Sequence, residues 1–249
     1  MKIGKKRVII IVTAATVIII AAVVGISQYN VWRSTPSSLE RDRIEGSDGG
    51  WIDKEYTTGD DGWAENEYDS AGNRIRWTLY SDDGSVADWY EYEYDSAGNQ
   101  TKSIHYNSDG SVKQWIEYEY DSVGNQIKDI VYSNDGSIGG WYDHEYDSAG
   151  NQIKITLYSS DGSIKNWTEY EYDGAGNQIK ETCYNGDGSI NWWKECEYDS
   201  AGNLTKETHY SSDGSINYEF GYEYDSAGNR INEIRYNNDG SVEYWEEYE

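Results

Sequence analysis

The chain is poor in the residues from which ordinary protein interiors are made. Four leucines, one phenylalanine and one methionine stand against 11 tryptophans and 25 tyrosines. A Leu-rich core is excluded, and any interior must be aromatic. Tyr and Trp carry polar tips, so they suit surfaces that are half dry and half wet. Basic residues are also scarce, with 20 Lys and Arg against 46 Asp and Glu and a net charge of −26. A body this acidic repels a phosphate backbone, so no nucleic-acid partner is expected. The sequence shows no Gly-rich phosphate loop, no nucleophile constellation and no apolar period of 3.6 residues, which argues against a nucleotide site and a helical body.

What is present begins with a leader. Residues 1–43 hold seven basic and two acidic residues, which leaves 13 basic and 44 acidic residues in the remainder. After the basic stretch 1–7, residues 8–27 form an uncharged run of 20. As a helix this run spans about one bilayer core. The basic flank predicts a single-pass signal anchor with the body outside the cytoplasm. A cleaved signal peptide, and hence secretion, is the alternative reading, although its apolar region is usually only about 7–15 residues long. Residues 28–50 read as a polar linker around Pro36.

The rest of the chain repeats. Tyr-Asp recurs at Tyr68, Tyr94, Tyr120, Tyr146, Tyr172, Tyr198 and Tyr224, always 26 residues apart. With Tyr as position 1 the unit reads YDSAGNQIKxxxYNSDGSIxxWxEYE. Residues 68–249 hold seven units, and 51–67 read as a degenerate capping repeat. Asp-Gly at positions 16–17 between β-prone runs is a hairpin signal, read as a two-residue type I′ loop, and Ser-Ala-Gly-Asn at 3–6 is the second turn. The expected fold is all-β: tandem 26-residue β-hairpins in a long antiparallel meander, coiled or two-layered, after the N-terminal transmembrane helix. An even repeat length keeps every unit facing the same way. In the register this implies, position 9 lies opposite 24, as in Lys102 with Glu117 and Lys154 with Glu169. One face then carries Trp at 22, Tyr at 13 and acids at 24 and 26. The other carries Ile or Val at 19 and Tyr at 25 and 1.

The segments YDSAGNRI (68–75), YDSVGNQI (120–127), YDSAGNQI (146–153) and their four sisters resemble the YD repeat of RHS-type bacterial surface proteins. The resemblance covers roughly residues 51–249. It implies β-hairpin units and a surface or secreted location. In some members it implies carbohydrate binding or toxin encapsulation. This unit is longer than most YD repeats, and an array of seven units is short for enclosing a cargo.

Candidate chemistry centres on a file of tryptophans, Trp89, Trp115, Trp141, Trp167, Trp193 and Trp245, interrupted by Glu219. Equivalent strands two apart would space them by about 9.5 Å. They are either a track for cell-wall glycan or simply the packing of the sheet. Every acid has near-identical copies in other units, so no unique carboxylate pair is singled out and no enzyme is expected. No cofactor and no metal site is expected, because the turn acids lack the alternating ligands of a calcium loop. His105, His144 and His209 read as drift at variable positions. Cys183 is expected to face the region of Trp192, away from Cys196, leaving both as free thiols. The expected role is a non-enzymatic surface module that binds glycan or a surface protein, anchored in the membrane through residues 8–27. The alternative is a structural spacer, or a unit that self-associates at its C-terminal edge.

Overall fold

The computed structural model describes residues 42–46, 49–56 and 63–248. The expected membrane helix at 8–27 lies outside the described residues, as does most of the expected linker. The end of that linker contributes a strand.

Among the described residues the fold is a succession of 17 strands. The first three are β1 (Asp42–Glu45), β2 (Trp51–Tyr56) and β3 (Trp63–Tyr68). Units one to four follow as β4 (Arg74–Tyr80), β5 (Val86–Tyr94), β6 (Gln100–Asn107), β7 (Val112–Tyr120), β8 (Gln126–Ser133), β9 (Ile138–Tyr146), β10 (Gln152–Ser159) and β11 (Ile164–Tyr172). Units five to seven supply β12 (Gln178–Asn185), β13 (Ile190–Tyr198), β14 (Leu204–Ser211), β15 (Ile216–Tyr224), β16 (Arg230–Asn237) and β17 (Val242–Glu247). Each strand pairs antiparallel with the next, from β1–β2 to β16–β17, and touches no strand other than its sequence neighbours. The sheet is one open meander.

Both turns of the unit have the same geometry, and it differs from the expected type I′ loop. A type I′ turn needs two residues with positive φ, whereas only glycines have positive φ among the described residues. At the Asp-Gly turn of the second unit, Gly110 N–H donates to Asn107 O and Asn107 N–H to Ser111 O, with Gly110 at φ 83°. This is a three-residue loop ending in a left-handed glycine. The Ser-Ala-Gly-Asn turn repeats the pattern, with Gly98 N–H donating to Asp95 O. The Asp of the YD motif clamps that turn: Asp95 Oδ1 accepts the Ala97 and Asn99 N–H groups, and Asn99 Nδ2 donates to Asp95 Oδ2. The clamp recurs from Asp69 to Asp225. In the other turn Asp109 Oδ1 accepts both the N–H and the hydroxyl of Ser111.

A loop of three residues is odd, and on its own it would flip the faces. A register shift beside each turn restores parity, between Glu93 and Tyr94 at one turn and between His105 and Tyr106 at the other. The predicted register therefore holds: Lys102 lies opposite Glu117 and Lys154 opposite Glu169. The bulges also shear the sheet. Glu117 in β7 faces Ile130 in β8, and Ile130 faces Trp141 in β9, not Asp143, the unit-to-unit equivalent of Glu117. Equivalent residues are thus displaced by two positions along the strand per unit. They lie about 12 Å apart, against the about 9.5 Å expected without shear. Stagger of this kind is what lets a sheet coil.

There is no second layer among the described residues. Ala64 and Cys196 are the only buried apolar residues, and no large side chain is fully enclosed. Of the two expected arrangements, coiled or two-layered, the second is absent among the described residues, and the aromatic side chains cover one another within each face. The sheet is held from unit to unit. The Tyr146 hydroxyl, at position 1, donates to Gln126 O at position 7 of the preceding unit at 2.9 Å, and Tyr94, Tyr120, Tyr172, Tyr198 and Tyr224 do likewise.

Candidate functional site

Positions 9, 11, 13, 22 and 24 share one face and scarcely change between units. Trp at 22 stacks on Tyr at 13 of the next unit: Trp89 on Tyr106 at 3.8 Å, Trp115 on Tyr132 at 5.0 Å, Trp141 on Tyr158 at 4.9 Å, Trp167 on Tyr184 at 4.8 Å and Trp193 on Tyr210 at 4.8 Å. The cation at position 9 lies over the indole in four of these units: Arg76 over Trp89, Lys102 over Trp115, Lys128 over Trp141 and Lys154 over Trp167. The same cations pair with the acid at 24, as in Lys102–Glu117 at 3.0 Å and Arg76–Glu91 at 2.6 Å. Thr at 11 is buried beneath the stack in Thr78, Thr156, Thr182 and Thr208. Where Glu219 replaces Trp and Gly221 replaces the acid, Lys206 turns to Glu219 at 2.8 Å. Five of the six tryptophans singled out in the sequence are therefore half-buried with a ring face covered by tyrosine. Trp245 differs, being 62% exposed in β17. For a sugar to stack on this row it would have to displace tyrosines or cations already in place.

The opposite face carries positions 10, 12, 21, 23 and 25; the first four change from unit to unit, whereas position 25 is Tyr in five of the seven units. Position 23 alone reads Tyr90, Ile116, Tyr142, Thr168, Lys194, Phe220 and Glu246. Its tyrosines are shielded from water: burial pushes the hydroxyls of Tyr90 and Tyr142 up to about 12, and those of Tyr118 and Tyr170 upward as well. All three histidines sit here beside a carboxylate. His105 Nε2 lies 2.5 Å from Asp88, His144 3.3 Å from Asp129 and His209 2.5 Å from Glu207. Asp129 is 3% exposed and also accepts from Gln126. These pairs were invisible in the linear sequence, where the histidines seemed scattered. Sheet register could have revealed them, because positions 10, 12, 21 and 25 all project to one side.

The richest patch of this face joins the fifth and sixth units. Lys194 bridges Glu181 at 3.2 Å and Glu207 at 3.7 Å. Burial works against the Lys194 charge, yet the two carboxylates outweigh it and hold the ammonium above its usual value. The hydrogen bond from His209 leads in holding Glu207 below the usual carboxylate range. Cys183 faces Trp192 across the β12–β13 pair, as expected, and Cys196 faces Glu207. Both thiols are free, and burial pushes both upward. No group of three or more metal-ligating side chains forms among the described residues. No helix among them is long and apolar enough to cross a membrane.

Residues 88–130 match a family model described as a protein of unknown function, DUF2963. No curated protein matches the sequence. Among solved structures, TcdB2-TccC3-Cdc42 is similar at 14% identity over 78% of this chain, with a TM-score of 0.39. The chain spans only 15% of that structure's length. A porin-like protein from Bacteroides uniformis is similar at 12% identity over 82% of this chain and 91% of its own, with a TM-score of 0.43.

Proposed function

We propose that the chain is a non-enzymatic cell-surface repeat module of the RHS/YD kind, tethered through residues 8–27, that binds glycan or a surface protein. The observation that carries this reading is the division of labour between the faces. One face repeats the same Trp–Tyr–Lys–Glu assembly in unit after unit and is used up in holding neighbours together. The other varies at positions 10, 12, 21 and 23 while the backbone beneath it stays constant. A repeat scaffold with one fixed and one variable face is built to present different side chains at regular spacing. This reading favours the variable face over the tryptophan row as the binding surface. Each carboxylate of the fixed face is one of several near-identical copies, which supports a role without catalysis.

The test is a glycan array and a surface-protein binding screen probed with the full chain in detergent. Binding should survive Lys102→Gln, on the fixed face, and fall when variable-face residues such as Ile116 or Phe220 are changed to Glu. Absence of any bound glycan or protein would refute the proposal. A spacer role is the second reading, and it predicts that outcome.

A further inference from the structure

Trp192 stands apart from the other tryptophans of the array. It follows from its place at position 21, where the second unit has Gln114 and the fourth has Asn166. Its neighbour Trp193 points to the fixed face and stacks on Tyr210. Trp192 points to the variable face, half-buried, and lines a groove of about 620 Å³ with Tyr218, Lys194, His209, Asn191 and Asn217. That volume falls within the usual range for small-ligand sites, roughly 300–1,000 Å³.

The groove has one free aromatic platform and one rigid wall. Among the described residues the indole of Trp192 stacks on no ring and carries no cation above it. The wall is Tyr218, held between His209 at 4.3 Å and Arg235 at 4.6 Å. Tyr218 is thus held in place from both neighbouring strands. Exposed neutral groups line the rim: the amides of Asn191 and Asn217 and the hydroxyl of Ser212.

The charges in the floor are already matched. Lys194 is shared by Glu181 and Glu207, and His209 also lies against Glu207. No unpaired cation remains to take a phosphate or sulfate, and the acidic body repels anions. No unpaired carboxylate of the floor remains to take a cation. The chemistry that fits a free indole face beside uncharged amides and a hydroxyl is a neutral, hydroxylated ring with an apolar face. We infer that the groove between Trp192 and Tyr218 is a binding site for a neutral pyranose sugar, stacked on the Trp192 indole with its hydroxyls on Asn191, Asn217 and Ser212. This rests on the reading of the chain as a surface binding module and names its site.

The experiment follows the indole N–H signals of the full ¹⁵N-labelled chain during titration with cellotetraose, chitotetraose and maltotetraose. Trp192→Phe identifies the Trp192 signal. Trp192→Asn reproduces Asn166 of a sister unit, so the fold is expected to survive, and the melting curve checks that it does. At least one sugar should shift the Trp192 signal while leaving that of Trp193 in place. Its affinity should fall about tenfold or more in Trp192→Asn, a loss of about 1.4 kcal/mol. A sugar that binds equally well to wild type and Trp192→Asn overturns the site but leaves the binding-module reading standing. No binding of any of the three sugars overturns the site, and the full glycan array then decides the wider reading separately.

Discussion

Replacing Trp141 with Ala probes how a sheet without a core is held together. Trp141 is half-buried, stacks on Tyr158 at 4.9 Å and lies under Lys128 at 5.7 Å. Removing about 100 Å² of apolar contact costs about 2.5 kcal/mol. The lost stack adds about 0.5–1.5 kcal/mol, and the exposed cation contact about 0.5 kcal/mol. The expected loss is about 3.5–4.5 kcal/mol, a large share of the stability of any ordinary domain. Trp245→Ala is the internal control, because Trp245 is 62% exposed in the final strand. That change should cost less than about 1 kcal/mol. Urea unfolding followed by far-UV circular dichroism measures both variants. Equal losses would refute the reasoning, as would a Trp141→Ala variant within about 0.5 kcal/mol of wild type.

Further predictions come from the same contacts. Tyr146→Phe removes the hydroxyl that donates to Gln126 O. It should cost about 1 kcal/mol and speed amide exchange between the third and fourth units. Gly140→Ala would set a Cβ 2.7 Å from the Tyr158 carbonyl oxygen. It should lose about 1–3 kcal/mol in urea unfolding, whereas Gly139→Ala, with 3.6 Å to its nearest atom, should be nearly neutral. The turn aspartates, such as Asp147, are held below the ordinary 3.8 first by the Asn151 side-chain hydrogen bond, and Asp161 likewise by Ser163. A depressed carboxylate contributes stability above its unfolded value and loses it as pH falls through the folded one. Melting temperature should therefore drop below about pH 4, even though protonation relieves the self-repulsion of the acidic body. A melting temperature that kept rising to pH 2 would contradict the clamps. Tyr90 and Tyr142 have the opposite sign. Raised by burial to about 12, they stabilise the fold below their unfolded value near 10, and this is lost as pH rises through 12. Their ultraviolet titration should lag behind that of free tyrosine.

The period and the parity made most of the fold legible. Seven in-phase Tyr-Asp pairs gave the hairpins, and an even repeat gave faces that pair Lys102 with Glu117. The turn type was misread because Asp-Gly fits both a type I′ loop and a three-residue loop. Only the backbone tells them apart, through φ at Gly110 alone and the register shift at Tyr106. The same shifts set the shear, so the spacing of the tryptophans was underestimated. Aromatics on both faces left a coiled and a two-layered sheet open in the sequence. Neighbouring units supply their cover, through contacts such as Trp89 on Tyr106 and Tyr120 on Gln100 O. The tryptophan row stood out by repetition, but its stacking on the tyrosines of the next unit shows only in the register. Trp192 and the His–carboxylate pairs are irregular, so a consensus reading passes over them.

Duplicating residues 146–171 in place tests the central claim most directly. One added unit brings two strands, keeps every register and preserves the stacks on both sides. In an open meander joined only between neighbours, the urea m-value should rise in proportion to the added residues and the midpoint should hold or increase. A midpoint that falls, or loss of cooperative unfolding, would mean that contacts beyond neighbouring strands hold the sheet, and would contradict the account.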